Sequence, residues 1–436
     1  MNLTNTPAQT SIWRAIRGFS PDLRKFLLFA TFSGIVSGAI ILDFNLYASA
    51  LGYSNITIGY LNAIRSLATF FIGLPSGFLA DRFGYRPFLF FAIVAMFLAP
   101  FTLIVFPAQI SCIPYIILFS MGSSLLWVIS LPILAGLSAQ NERVHTFSVN
   151  AFITTASFAV GNLVGGYAPE LQARLFNGNP NDPAALRTTF FVAAFINLIM
   201  FFIALTVHLP RNTYTRAENG GEANANQQKT FWGKQTLLIK FIIPSALIGL
   251  GAGAFITFQQ LYFHQRFHLD PGPIANILAI SQVITAIAIL AAPWLSKHLG
   301  KVNASLITEY ISIPFLIILG FTYNFTEALT AFYIRGALMN MNSPITDALA
   351  MDLLPANQRG KFTSIQNAMG NLGRGGLGPA ISGWLQALGG YGAAFSFTAI
   401  TYFIAATLYF RFFHAVEPET QLFGWFAKRK TADARR

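Results

Sequence analysis

Twelve windows of about 20 mainly apolar residues run through this chain, each long enough for a helix to cross the hydrocarbon core of a bilayer. They lie at roughly 26–51, 57–80, 88–107, 112–139, 147–168, 189–208, 237–264, 273–296, 304–323, 327–354, 362–387 and 390–414. Of the 436 residues, 54% are hydrophobic and only 10% are charged, against about 25% charged in an average soluble domain. A chain this apolar lacks the polar groups to cover a water-facing surface, so lipid is the solvent the sequence expects. The fold class is therefore an all-α membrane protein. One cysteine, Cys112, excludes an intramolecular disulfide and a cysteine metal site.

Most connections between the windows are short, which makes consecutive helices antiparallel neighbours. The exception is 209–236, polar and rich in Gly and Asn, with the composition of a linker. It divides the chain into a tail (1–25), a first group of six helices (26–208), the linker, a second group of six (237–414) and a second tail (415–436). The first 24 residues lack the apolar core of a signal peptide. Within them "SIWRAIRGF" (11–19) has the pattern either of a helix lying on the membrane surface or of a solvated tail.

The formal charge of +12 raises the question of nucleic acid. If the N-terminus is cytoplasmic, 22 of the 28 basic residues fall in inner segments. Arg174, Arg187 and Arg266 fall outside, and Arg65, Arg335 and Arg374 lie within helices. This is the positive-inside asymmetry, and it places both termini in the cytoplasm. Charge spread thinly over many loops is not a nucleic-acid stripe. The expected location is the plasma (inner) membrane, and the expected state is a monomer.

Two groups of six helices invite a search for a repeat, and a constant shift of 216 residues works in three separate regions. "NITIGYLNAI" (55–64) falls on "PGPIANILAI" (271–280), "LADRFG" (79–84) on "LSKHLG" (295–300), and "NERVHTFS" (141–148) on "NQRGKFTS" (357–364). Chance similarity among apolar helices would not align the polar loops. The repeat implies two six-helix bundles related by a pseudo-two-fold axis along the membrane normal. A cavity between such bundles can open to each side in turn.

The stretch "GFLADRFGYRP" (77–87), between the second and third windows, resembles the signature of the major facilitator superfamily through Gly77, Ala80, Asp81, Arg82, Phe83, Gly84 and Arg86. Pro87 departs from the pattern, standing where a second basic residue is common. The twelve windows, the central linker, the repeat and "NERVHTFS" extend the resemblance over nearly the whole chain. It implies that this loop is an inner-side latch. Asp81 would face the start of the eleventh helix near Lys361 to Ser364, where unpaired N–H groups favour a carboxylate. Arg82 would pair with an acidic group near the loop after the fourth helix, for which Glu142 is the candidate, with Arg143 beside it in the latch. In the second half Asp81 falls on Lys297, so the latch is expected to be lopsided.

A charge at mid-bilayer costs roughly 2.5–3.5 kcal/mol on insertion scales, so those that persist should be paired or functional. At a rise of about 1.5 Å per residue, Asp43, Arg65 and Arg335 each lie ~12 Å below the outer surface, with Arg374 near the same layer. One reading is a structural Asp43–Arg65 pair with the other arginines on backbone carbonyls or water. The other is a cationic binding layer. By the resemblance, Arg335 and Asp43 then touch substrate while Arg65 and Arg374 hold the seam between halves. Gln259 falls on Asp43 at the 216 shift, and Gln260, Trp127, Asn342 and Tyr47 are further lining candidates. Asn367, Asn371 and Arg374 form one polar stripe. Asp347, Asp352 and Glu309 are expected to pair with inner-loop bases.

The glycine-rich runs 249–255 and 161–166 lack the Lys-Ser/Thr ending and strand context of phosphate loops. No ATPase is encoded, so a gradient must supply energy; no cofactor and no resident metal is expected. An enzyme is not expected, since no nucleophile/base or His/acid constellation recurs at one depth. The resemblance implies a secondary transporter of a small organic solute. A protonatable acid in the cavity would couple it to protons, and Asp43 is the best candidate, since burial and a nearby arginine act on its carboxylate in opposite directions. The intact "LADRFGYR" looks like the drug–proton antiporter branch and points to efflux, although the fourth helix lacks that branch's arginine and the fifth its Gly-Pro pair. Uptake or exchange of an organic anion is the alternative, and a non-transporting membrane sensor is the alternative from another class.

Overall fold

In lipid a backbone must satisfy its own hydrogen bonds, and helices do this within a single segment. In the computed structural model the regular structure among the described residues is helical. Those residues are 19–106, 110–138, 143–208, 231–354, 362, 365–366, 368–414 and 416. The helices are α1 (Pro21–Ala50), α2 (Asn55–Phe83), α3 (Tyr85–Val105), α4 (Cys112–Leu137), α5 (Arg143–Phe176) and α6 (Pro183–Thr206). They continue with α7 in two segments (Phe231–Ile256 and Gln259–Phe267), α8 (Pro271–Leu299), α9 (Lys301–Phe321) and α10 (Phe325–Leu353). The last stretch runs from Ala368 to Phe413 and breaks at Gly389 and Gly390, giving α11 (368–388) and α12 (391–413).

Local chemistry accounts for several of these boundaries. Pro183 and Pro271 open α6 and α8, each behind an aspartate, because a missing N–H costs nothing in a first turn. Asn324 caps α10 by accepting from the backbone N–H groups of Thr326 and Glu327. α5 runs two turns beyond the expected 147–168, and α7 starts at Phe231, inside the stretch expected to be linker.

Ten segments among the described residues are long and apolar enough to cross a membrane, counting 368–413 as one. The difference from the expected twelve has two causes. The Gly389–Gly390 break is too short to separate α11 from α12, and α10 carries Glu327, Arg335, Asn340, Asn342, Asp347 and Asp352. Apolar side chains at the periphery, such as the 80% exposed Leu290, suit lipid.

The contacts divide the chain into two units, Met1–Tyr47 with Ala68–Asn219 and Ala48–Leu67 with Gly220–Arg436. In the first unit α1 and α5 pack through glycines, and Tyr47, Tyr115 and Phe190 form an edge-to-face aromatic cluster. In the second, a core of Leu238, Phe241, Val302, Leu306, Leu349, Tyr409 and Phe413 joins α7, α9, α10 and α12. α11 and α12 fold back on the same part of α7: Ser382 donates to the Ala254 carbonyl and Thr398 to the Gly251 carbonyl.

The division differs from chain order in one stretch. Residues 48–67, at the end of α1 and the start of α2, group with the second half. The Asn55 amide donates to Gln386 at 2.8 Å and to Gln265 at 3.2 Å, Tyr391 donates to Gln265, and Ser66 donates to the Asn371 carbonyl.

The internal repeat has a backbone counterpart. Gly84, between α2 and α3, has φ 89° and ψ 155°; Gly300, its partner at the 216 shift, has φ 78° and ψ 159° between α8 and α9. Both turns use a conformation that is essentially restricted to glycine, costing other residues on the order of 1–3 kcal/mol. No atom would touch a Cβ at Gly84, so Gly84→Ala isolates that backbone cost. We expect it to lower the melting temperature of the detergent-solubilised protein by several degrees; an unchanged melting curve would show that the turn relaxes freely.

Candidate functional site

The polar helix α10 is the starting point of the site. Arg335, Met339, Asn342 and Thr346 recur at helical spacing, and all four line a cavity of about 360 Å³ in the second unit. Around it stand Glu309 from α9, Tyr402 and Tyr409 from α12, Phe241 and Ile248 from α7, and Asn371 and Arg374 from α11. That volume is at the lower end of small-molecule sites, which span roughly 300–1,000 Å³.

Arg374 reaches this wall because the α7 glycines admit α11 backbone to backbone. A Cβ at Gly253 would lie 2.5 Å from the Arg374 carbonyl oxygen, and one at Gly373 2.9 Å from the Leu250 nitrogen. Opposite these glycines α11 widens into a π-helical turn, Leu372–Leu377, a distortion frequent at functional sites. Arg374 sits in that turn, lining the cavity and exposed, with no hydrogen bond or ion pair among the described residues.

Arg335 is 3% exposed. One terminal nitrogen donates to the Tyr402 hydroxyl at 2.6 Å, and the guanidinium lies 4.3 Å from the Phe255 ring centre and 5.5 Å from that of Tyr402. Its partners are thus aromatic, and not backbone carbonyls. Its Nε has no hydrogen-bond partner among the described residues.

Glu309 is 1% exposed. It was expected to pair with an inner-loop base, and the structure corrects this. Asn342 donates to Oε1 at 2.6 Å, Oε2 has no partner, and no base lies within ion-pair distance among the described residues. Lys301, at the start of α9, pairs with Asp352. Asp347 also takes an amide partner, accepting from Gln366 at 3.1 Å.

The other candidates are placed as follows. Asp43 is fully buried in the first unit, and neither carboxylate oxygen has a hydrogen-bond partner among the described residues. Arg65 is half-buried and groups with the second unit. Tyr47 is buried one turn further along α1, its ring 6.0 Å from the Arg187 guanidinium. Trp127 is 65% exposed on α4. Gln259 and Gln260 begin the second segment of α7, Gln260 buried and Gln259 half-buried, and neither lines the cavity.

In the signature loop Arg82 and Arg86 are exposed and lie over the rings of Phe83 and Phe90. The side chain of Asp81, the surroundings of Gly77, and the residues Glu142, Lys361, Ser364 and Asn367 lie outside the described residues, as does the side chain of Arg143. The same holds for 11–18.

The sequence reading thus named Arg335, Asn342 and Arg374, which the fold brings to one wall. Glu309, Asp347 and Tyr402 share that wall without having been expected there. The i, i+4, i+7, i+11 stripe on α10 was the available signal for the cavity face. Nothing local to α9 distinguishes a buried Glu309 from a loop-facing one.

Comparison with known proteins agrees with the architecture. A sequence model of the Major Facilitator Superfamily matches residues 26–376 and 310–430. Quinolone resistance protein NorA of Staphylococcus aureus (strain MSSA476) is 20% identical over 364 residues, covering 83% of this chain and 88% of that protein. Multidrug resistance protein MdtG of Escherichia coli O17:K52:H18 (strain UMN026 / ExPEC) is 24% identical over 177 residues, covering 39% of this chain and 42% of that protein. Among solved structures, a bacterial homologue of the human lysosomal transporter Spinster superposes with a TM-score of 0.72 at 15% identity, over 89% of this chain and 96% of the other. A D-xylose–proton symporter superposes with a TM-score of 0.66 at 18% identity, over 90% and 96%.

Proposed function

The chain belongs to the major facilitator superfamily and is a multi-pass secondary transporter, not an enzyme; on that footing we propose that it exports a small organic solute in exchange for protons. The observation that carries the coupling is Glu309. A carboxylate enclosed in the cavity wall, with one amide partner and no base at ion-pair distance among the described residues, has no protein counter-charge beside it, which leaves its charge to be balanced by a transported ion. The solute site is the cavity of α7, α9, α10, α11 and α12. Asp43, the acid first expected to couple, is the competing candidate.

The similarity to a quinolone resistance protein and a multidrug resistance protein supports efflux as the direction. The basic inner segments support cytoplasmic termini in a plasma membrane. The Asp81 latch and a monomeric carrier complete the proposal.

The test is transport in proteoliposomes. Antiport predicts that solute enters vesicles whose lumen is more acidic than the bath, as protons leave. A protonophore should abolish this entry. Transport indifferent to the imposed gradient would remove proton coupling, and solute moving with the protons would reverse the assignment to symport.

A further inference from the structure

We propose that the α10–α11 cavity binds an organic anion, its carboxylate or similar head held between Arg335 and Arg374. This rests on reading the cavity as the solute site, and it adds the class of solute.

Both guanidiniums line the cavity, and neither is neutralised there. Arg335 spends one nitrogen on a neutral hydroxyl and its faces on two rings, and its Nε is buried without a hydrogen-bond partner among the described residues. Arg374 makes no hydrogen bond or ion pair among the described residues. The cavity does hold two acids, so the arginines are not short of counterions for want of carboxylates. Glu309 is engaged by Asn342 and Asp347 by Gln366, and neither lies within ion-pair distance of either arginine. The two amides keep the acids apart from the two cations.

Arg335, removed from water without an anion, is costly to hold, and Arg374, exposed on the same wall, adds repulsion. An anionic head entering the cavity relieves both terms at once. Guanidinium groups present paired donors that suit a carboxylate, phosphate or sulfonate. Beyond the head, Phe241, Ile248, Ile256 and Phe362 offer apolar wall, and Ser245 and Asn340 offer polar contacts. The ligand that fits is a small amphipathic anion.

The experiment compares molecules that differ in charge and little else. Purified wild-type protein is titrated with benzoate and naphthalene-2-carboxylate, with their uncharged amides, and with benzylamine, and thermal stabilisation is read. The carboxylates should stabilise the protein; the amides and the amine should not. Arg374→Gln should weaken carboxylate binding by about tenfold or more, the loss of one charge-assisted hydrogen bond, without lowering the melting temperature of the free protein. Arg335→Gln should do the same but also unsettle the fold, so Arg374 carries the decision.

Equal stabilisation by amides and carboxylates, or by benzylamine, would overturn the inference. So would carboxylate binding that Arg374→Gln leaves intact. Stabilisation by phosphatidylglycerol with none by the carboxylates would reassign the site to a lipid headgroup. Failure of the efflux reading looks different: carboxylates bind and depend on Arg374, but their movement in vesicles ignores the proton gradient.

Discussion

Glu309→Gln carriers equilibrate their solute across a vesicle membrane but do not concentrate it. Glutamine keeps the shape of the side chain and an oxygen to accept from Asn342, so the wall of the cavity survives. What it loses is the ability to gain and release a proton. With the membrane potential held at zero, one unit of pH difference is worth about 1.36 kcal/mol, which supports about a tenfold accumulation for one-to-one exchange. The wild type should approach that ratio and Glu309→Gln should stay near unity, with solute counterflow retained. Accumulation by Glu309→Gln that matches the wild type would exclude Glu309 as the coupling group. If Asp43→Asn abolished accumulation in its place, the role would pass to Asp43.

The second large effect is structural. α1 and α5 touch through their backbones: a Cβ at Gly161 would lie 2.2 Å from the Ile35 carbonyl oxygen, and one at Gly38 2.2 Å from that of Phe158. No rotamer relieves such a clash, because the obstructing atoms are main chain. Gly161→Ala must push the helices apart along their length. Overpacking of this kind costs about 1–3 kcal/mol, and more where the backbone cannot give. The expected result is a sharp drop in folded protein recovered from membranes. Gly178→Ala is the control, since nothing stands within 4 Å of its Cβ and its φ is unexceptional. Equal yields from the two variants would show that the α1–α5 contact is not tight.

The helices were legible because hydropathy is a property of single segments. Gly84 and Gly300 were legible as a repeat, and their shared backbone angles say why both are glycine. Arg335 and Arg374 stood out because charge is rare in a lipid-embedded helix. Their neighbours were not legible. Whether Glu309 meets a loop lysine or the Asn342 amide depends on how α9 rotates against α10, which ridge-and-groove packing decides. Lys301 lies eight positions before Glu309 on α9 and is held by Asp352, so depth alone, which grouped the two acids, held for Asp352 and failed for Glu309. The π turn at Leu372–Leu377 was equally hidden. Glycine-rich sequence announced a close approach, but not that the approach would swing Arg374 to the cavity.

Residues 48–67 group with the second half of the chain, which bears on how such a carrier can evolve. Exchange of halves between related genes at the central linker looks like a clean cut. Here it would carry Asn55 and Ser66 away from the Gln265, Gln386 and Asn371 groups they bond. The second half is thus completed by a stretch encoded in the first, and a chimaera inherits a working partner for it only if that stretch travels too.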